Sequence, residues 1–71
     1  MIPRTQVASS MIKEMGYDEG VVAVQFNNGA VYHYEGVPPD VYEAVITADS
    51  GSVGKAFNLL IKNSYPSTKV E

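Results

Sequence analysis

The pattern of apolar residues changes about half-way along the chain, from short continuous runs to single positions three or four residues apart. Residues 21–26 and 30–35 are rich in β-branched and aromatic side chains, which is typical of strands. Asn27-Asn28-Gly29 separates them and predicts a hairpin turn. Further along, apolar residues recur every three or four positions, which predicts helices.

Two registers are open for this hairpin. A two-residue turn pairs Phe26 with Val31, and a three-residue loop with a left-handed Gly29 pairs Phe26 with Ala30. We prefer the three-residue loop because it separates apolar from polar side chains between the two faces of the sheet. In that register Tyr32 and Tyr34 share a face with Val22, Val24 and Phe26, and Gln25, His33 and Glu35 lie on the other.

The remaining elements follow from shorter patterns. Residues 10–17 predict either a strand or one short helical turn, and Gly16 together with residues 18–20 predicts a turn. Two prolines in the segment 36–40 suit the first turn of a helix, and a second helix is expected over residues 53–63. The apolar positions predicted for the two helices are Val41, Ala44, Val45 and Ala48 in the first, and Val53, Phe57, Leu60 and Ile61 in the second. We therefore expect one α+β domain, a small three-stranded antiparallel β-meander followed by two α-helices.

Composition limits the possible functions of the chain more than it limits the possible folds. The 71 residues include no cysteine and one histidine, so we expect no metal site, no disulfide and no cofactor. Without a long apolar run or a signal peptide, a soluble, cytoplasmic protein is expected. The net charge of −3 disfavours tight binding to a long nucleic acid, because such binding depends on neutralised phosphates. A compact anion remains compatible with this charge.

The segment 50–58 holds the strongest sign of a binding site. It places Ser50, Ser52, Lys55 and Asn58 where a loop becomes a helix. Unpaired N–H groups and the positive end of the helix dipole favour a phosphate or carboxylate at such a position. The alternative is that Ser52 only caps the helix and that Lys55 is solvated. The spacing of the glycines does not fit a phosphate loop of nucleotide hydrolases.

The order of several short motifs resembles the KTSC domain family. The motifs are Val7-Ala8-Ser9-Ser10, Met15-Gly16-Tyr17-Asp18, Tyr32-His33-Tyr34, Val37-Pro38 with Val41-Tyr42, residues 50–58, and Ile61-Lys62 with Tyr65-Pro66. The resemblance covers about residues 5–66 of a single domain spanning 1–71. The family is named for its occurrence at the C-terminus of some lysyl-tRNA synthetases, and it also occurs as small stand-alone proteins in bacteria and phages. One departure is Ala56, at a position where the family often has an aromatic residue.

The residues and the resemblance together predict a non-catalytic protein that binds a small phosphate-bearing ligand, such as a nucleotide derivative. The predicted binding residues are Ser9, Ser10, Tyr32, Tyr34, Ser50, Ser52, Lys55, Asn58 and Lys62. Stacking of a base on Tyr32 or Tyr34 competes with the alternative that both rings fill the core. A homodimer or higher homo-oligomer is expected, because one small domain encloses little volume.

One narrower function and two alternative classes are also open, and the first two of these follow from the resemblance. A small phage-type protein fits the anti-defence proteins that sequester a nucleotide immune signal, and such a protein would act in the host cytoplasm. The synthetase association implies an RNA-binding accessory module, which the net negative charge disfavours. The third class is a protein-interaction module that occupies a host protein.

Overall fold

A computed structural model describes residues 2–7, 9–49 and 52–71 of the chain. Four strands come first, two helices follow, and a fifth strand closes the fold. The elements are β1 (Thr5–Gln6), β2 (Ile12–Asp18), β3 (Val21–Phe26), β4 (Val31–Tyr34), α1 (Pro39–Ile46), α2 (Val53–Phe57) with a π-helical segment (Asn58–Lys62), and β5 (Ser67–Lys69). The α+β class is as predicted.

The strands form one antiparallel sheet in the order β1-β2-β3-β4-β5. The prediction of three strands was wrong, because β1 and β5 add one strand to each edge. These strands have two and three residues and every one of their residues is exposed. Elements this short and exposed carry no apolar alternation, so the sequence pattern did not reveal them.

The three-residue hairpin loop is confirmed. Val24 pairs with Tyr32 and Val22 pairs with Tyr34, and the Phe26 amide donates to the Ala30 carbonyl at 2.9 Å. Gly29 has a φ of 94°, a left-handed conformation that glycine adopts without strain. The register therefore places both tyrosines on the face of the sheet that carries the core.

A β-bulge in β2 explains why residues 10–17 fitted two predictions. Ile12 pairs with Phe26 and Glu14 pairs with Gln25, so one residue is extra between them. Ile12 and Met15 are three residues apart and both are fully buried. Strict alternation would place them on opposite faces, and the bulge returns both to the core. A three-residue apolar spacing also fits a helix, which is why the pattern was ambiguous.

Gly16 lies inside β2 and not in the predicted turn, which is formed by Glu19 and Gly20. A Cβ atom on Gly16 would collide with the carbonyl group of Pro3. The N-terminal segment therefore lies against a position of β2 that, alone among the described strand residues, has no side chain. The glycine that resembled a turn signal serves a close approach of two backbones.

Helix α1 begins as predicted, with Pro38 at its N-cap and a proline in its first turn. The second predicted helix is α-helical only to Phe57 and π-helical from Asn58 to Lys62. The wider turn keeps Phe57 and Ile61 fully buried but leaves Leu60 40% exposed. The prediction that Leu60 is buried was wrong, because it assumed an uninterrupted period of 3.6 residues. Within the described part of the chain, neither helix is long and apolar enough to cross a membrane.

Candidate ligand-binding groove

An open groove of about 690 Å³ lies between the β3–β4 hairpin, strand β5 and the end of the π-helical segment. Its walls combine aromatic, amide, hydroxyl and ammonium groups. The lining residues are Met11, Phe26, Asn27, Asn28, Ala30, Tyr32, Tyr34, Lys62, Asn63, Ser67 and Lys69. Apolar rings beside a few convergent polar groups are typical of small-molecule sites.

Four rings form the aromatic cluster, which consists of Phe26, Tyr32, Tyr34 and Phe57. Phe26 meets the edge of Tyr32 at a centroid distance of 5.7 Å, and Phe57 meets Tyr34 at 5.2 Å. Phe57 also contacts Phe26 at 5.8 Å and is fully buried. Core packing therefore fixes the rings, so the groove wall is held in place without a ligand.

Two lysines give the groove a local positive charge in an acidic protein. Lys69 is the cross-strand partner of Tyr32, so both side chains lie on the same face of the sheet. Lys62 ends the π-helical segment and lines the groove as well. None of the described residues that line the groove is acidic. The chain has only five basic residues, and two of them line this one surface.

Hydrogen bonds hold the hairpin tip at one wall of the groove. The Asn27 amide group donates to the Ser10 carbonyl at 2.7 Å, and the Asn27 backbone N–H donates to the Met11 carbonyl at 2.9 Å. The side-chain oxygen of Asn28 accepts from the Ala30 amide at 3.0 Å. This wall is therefore built from turn residues whose polar groups already serve the fold.

The structure brings three of the predicted binding residues into the groove. Tyr32 and Lys62 lie at its surface, and Tyr34, only 4% exposed, contributes from below. For Tyr34 the core interpretation holds, because its ring packs on Phe57. Tyr32 serves both as part of the aromatic cluster and as a half-buried wall of the groove.

The other predicted residues lie elsewhere. The Ser9 hydroxyl accepts from the amides of Met11 and Ile12, at 3.2 Å each, as expected for a turn. Ser52 is at the N-cap of α2 without a side-chain capping bond. Ser10 and Lys55 are exposed and do not line the groove, while the prediction for Ser50 falls outside the described residues.

Gly54 is explained by packing and not by the approach of a ligand. It is buried, and a Cβ atom there would lie 2.9 Å from Ser9 Oγ and 3.0 Å from Met11 Cγ. Asn58, one turn later, is partly buried, and its Nδ2 lies 3.7 Å from Met11 Sδ. This side of α2 therefore contacts the segment 9–11.

Two tyrosines have shifted acidities. Burial raises the pKa of the Tyr34 phenol above its usual range, the nearby Tyr32 phenol adds to this effect, and the Ser67 hydroxyl opposes it. Burial alone raises the pKa of Tyr42. Both phenols stay neutral at physiological pH, so the charge of the groove comes from its lysines. Within the described ranges, no three His, Asp or Glu side chains converge as metal ligands.

Comparison with known proteins decides the family. The sequence model of the KTSC domain matches residues 8–65. The chain belongs to the KTSC domain family. A KTSC domain protein from Yersinia pestis has a crystal structure with a TM-score of 0.87 and 31% identity, and the match covers 100% of both chains.

Two bacterial proteins are similar to this KTSC domain in sequence. A protein of Stutzerimonas stutzeri strain A1501 is 41% identical over 64 residues, which is 87% of each chain. A protein of Tsukamurella paurometabola is 40% identical over 61 residues, covering 83% of this chain and 88% of the other. The family resemblance identified from the ordered motifs is confirmed.

Sequence reasoning missed part of the groove of this KTSC domain. Ser67 and Lys69 belong to β5, which was not predicted, and they lie outside the residues that the family model matches. The only signal was Thr68, a β-branched residue between two polar ones. Met11 and Phe26 were assigned to elements, but nothing in their spacing indicated that they would border one groove.

Proposed function

We propose that this KTSC domain is a non-catalytic binding protein for a small phosphate-bearing ligand of the nucleotide type. The observation that carries the proposal is the placement of Lys62 and Lys69 beside Tyr32 in one open groove. An aromatic ring offers a stacking surface for a base. Ammonium groups offer charge-assisted hydrogen bonds to phosphate oxygens.

The proposal moves the phosphate contact away from the loop at residues 50–55. Lys55 is exposed and outside the groove, whereas Lys62 and Lys69 line it together with Tyr32. Because two cations beside an aromatic wall match both parts of a nucleotide, the groove is the better candidate. The absence of acidic groups from its described lining also favours an anion.

The test is a calorimetric titration with a panel of nucleoside monophosphates and cyclic nucleotides. We expect binding by the wild type and a loss of roughly tenfold to a hundredfold in affinity for each of Lys62→Ala and Lys69→Ala, since a charge-assisted hydrogen bond contributes about 1.5–3 kcal/mol. Lys55→Ala is the matched control, because it removes the same charge from an exposed position on α2.

The control variant also distinguishes binding in the groove from binding at the loop of residues 50–55. If Lys55→Ala abolishes binding and the groove variants do not, the ligand binds at the loop predicted from sequence. If the whole panel fails to bind to the wild type at millimolar concentration, the proposal is wrong. Unchanged melting temperatures for the lysine variants would show that the fold is intact.

The effect of salt on affinity distinguishes this proposal from the RNA-binding alternative. An oligoribonucleotide that bridges several phosphates binds with an affinity that falls steeply with salt concentration. A mononucleotide held by two lysines responds more weakly to salt. Titrations of a uridine decamer and of one mononucleotide at two salt concentrations distinguish the two modes.

A homodimer that closes the groove is a separate part of the proposal. The groove is open in the single chain, so a second copy would be needed to enclose a ligand fully. Native mass spectrometry of the purified protein, with and without nucleotide, measures the stoichiometry. If the protein binds the ligand as a monomer, the proposed dimer is wrong and the proposed site is unaffected.

A further inference from the structure

The side chain of Asn58 is an anomaly in the wall behind the groove. Its Oδ1 is buried and has no hydrogen-bond partner among the described residues. Its Nδ2 lies 3.7 Å from Met11 Sδ, and a thioether is a weak acceptor. Exchanging the positions of Oδ1 and Nδ2 leaves one of the two groups without a strong partner. Buried amide groups are normally paired, so an unsatisfied one requires an explanation.

Met11 separates this amide from the groove. The methionine lines the groove on one side and contacts Asn58 on the other. Its backbone is fixed, because its N–H donates to Ser9 Oγ at 3.2 Å and its carbonyl accepts from Asn27 N–H at 2.9 Å. Its side chain is unbranched and adopts many rotamers at low energetic cost.

Gly54 leaves room for the methionine on the helix side. A Cβ atom at this position would lie 3.0 Å from Met11 Cγ and 3.3 Å from Met11 Sδ. Met11 therefore lies between a helix position without a side chain and a polar group without a partner. A rotation of the methionine side chain away from its position between Asn58 and the groove would expose the Asn58 amide to a bound ligand.

We infer that Asn58 is the inner polar end of the groove, that Met11 is a movable partition in front of it, and that the site selects a base whose edge carries a hydrogen-bond donor beside an acceptor. This inference rests on the proposed function. A primary amide presents an acceptor and a donor side by side. The matching ligand edge has a donor beside an acceptor, as adenine does when an asparagine binds it in a bidentate manner.

The test compares two probes that differ only in the amine. Adenosine 5′-monophosphate carries it, and purine riboside 5′-monophosphate has hydrogen in its place. We expect the wild type to bind adenosine monophosphate about tenfold more tightly, because a site built to hydrogen-bond a ligand group is left unpaired without it.

The decisive variant is Asn58→Leu, which has a similar volume and no polar group. We expect it to bind both purine probes with equal affinity, close to that of the wild type for purine riboside monophosphate. Its melting temperature should rise, since an unsatisfied amide is removed from the interior. A structural role for Asn58 predicts no change in discrimination, so the ratio of the two affinities is the specific readout.

A second measurement keeps the inference testable if Asn58→Leu does not fold. The methyl resonance of Met11 in the wild type should shift when adenosine monophosphate binds and shift much less with purine riboside monophosphate. Equal affinities for the two probes in the wild type, or discrimination that persists in Asn58→Leu, would overturn the inference while leaving the groove as a nucleotide site. Absence of binding by either probe would overturn the groove proposal first and this inference with it.

Discussion

Two tyrosine sites on the same face of the sheet are used differently. On the β2 side, Tyr17 stacks on Tyr42 with ring centroids 5.0 Å apart and an interplanar angle of 17°. Its hydroxyl donates to the Val37 carbonyl at 2.6 Å. On the β4–β5 side, Tyr32 contacts Phe26 edge to face and borders an open groove with two lysines.

The comparison shows that residue type alone does not separate a tyrosine that is engaged within the fold from one that borders the candidate groove. Tyr17 has both its ring face and its hydroxyl engaged within the protein, and the Val37 amide is in turn bonded to Gly20 at 2.9 Å. That region joins α1 to the sheet. Tyr32 lines the groove, so its ring is the one that borders a space large enough for a small ligand.

The largest loss of stability is expected from a substitution in the core that lies beneath both tyrosine sites. Phe57 is fully buried and contacts Phe26 and Tyr34, so Phe57→Ala should lower the free energy of unfolding by about 3–5 kcal/mol. Urea denaturation followed by circular dichroism measures this loss. Leu59→Ala, at a side chain that is 71% exposed, is the matched control and should change stability by less than about 0.5 kcal/mol. Equal losses for both variants would contradict the role given to Phe57.

The two tyrosines should respond differently to loss of the hydroxyl. Tyr17→Phe removes the donor to the Val37 carbonyl and should reduce stability by about 1–2 kcal/mol. Tyr32→Phe should leave both stability and nucleotide affinity nearly unchanged, because phenylalanine keeps the ring on which a base would stack. Thermal melts of both variants, with and without nucleotide, measure the contrast. A larger loss of stability for Tyr32→Phe than for Tyr17→Phe would reverse the assignment of the two regions.

Alkaline pH should weaken the fold through the two buried phenols. The pKa values of Tyr34 and Tyr42 are raised above 10.0 in the folded state, mainly by burial. Their contribution to stability is therefore complete below pH 10 and is lost as the pH rises through the folded pKa values, because the unfolded state ionises first. Urea midpoints measured from pH 8 to pH 11 should fall at the upper end. Tyr42→Phe should make that fall shallower, and an unchanged slope would contradict the contribution of Tyr42.

The smallest expected effect is a gain in stability from a substitution in the turn between β2 and β3. Glu19 has a φ of 47° in the two-residue turn between β2 and β3, and Gly20 follows with a φ of 83°. Asparagine tolerates the left-handed conformation better than glutamate, and Asn-Gly is favoured in such turns. Glu19→Asn should therefore raise the free energy of unfolding by about 0.5–1 kcal/mol. Glu19→Val, which is β-branched, should lower it, and the urea midpoints of the two variants give the comparison.

The sequence was informative where periodicity and turn chemistry agreed. The β3–β4 register was predicted because it places Tyr32 and Tyr34 on the same face as the apolar residues of β3. The start of α1 was predicted from its prolines. It was misleading where the backbone departs from an ideal period. The bulge near Lys13 left residues 10–17 open between a strand and a helical turn, and the π-helical segment moved Leu60 out of the core.

The candidate site was harder to predict than the fold. Tyr32 and Lys62 were identified from the sequence, and both line the groove. The loop-to-helix segment drew attention to Lys55, because anion sites at helix starts have a recognisable local pattern. A groove assembled from a hairpin tip, a helix end and a late strand has no such pattern, since its residues meet only through the tertiary fold.

The edge position of β5 has a consequence for the way the groove opens. Strand β5 carries Ser67 and Lys69, and it pairs with β4 at the end of the sheet. None of its three residues is buried. A short, exposed edge strand separates from its neighbour at a lower free energy than the strands of the core. The wall that carries Lys69 would thus open and close while the aromatic cluster stays packed.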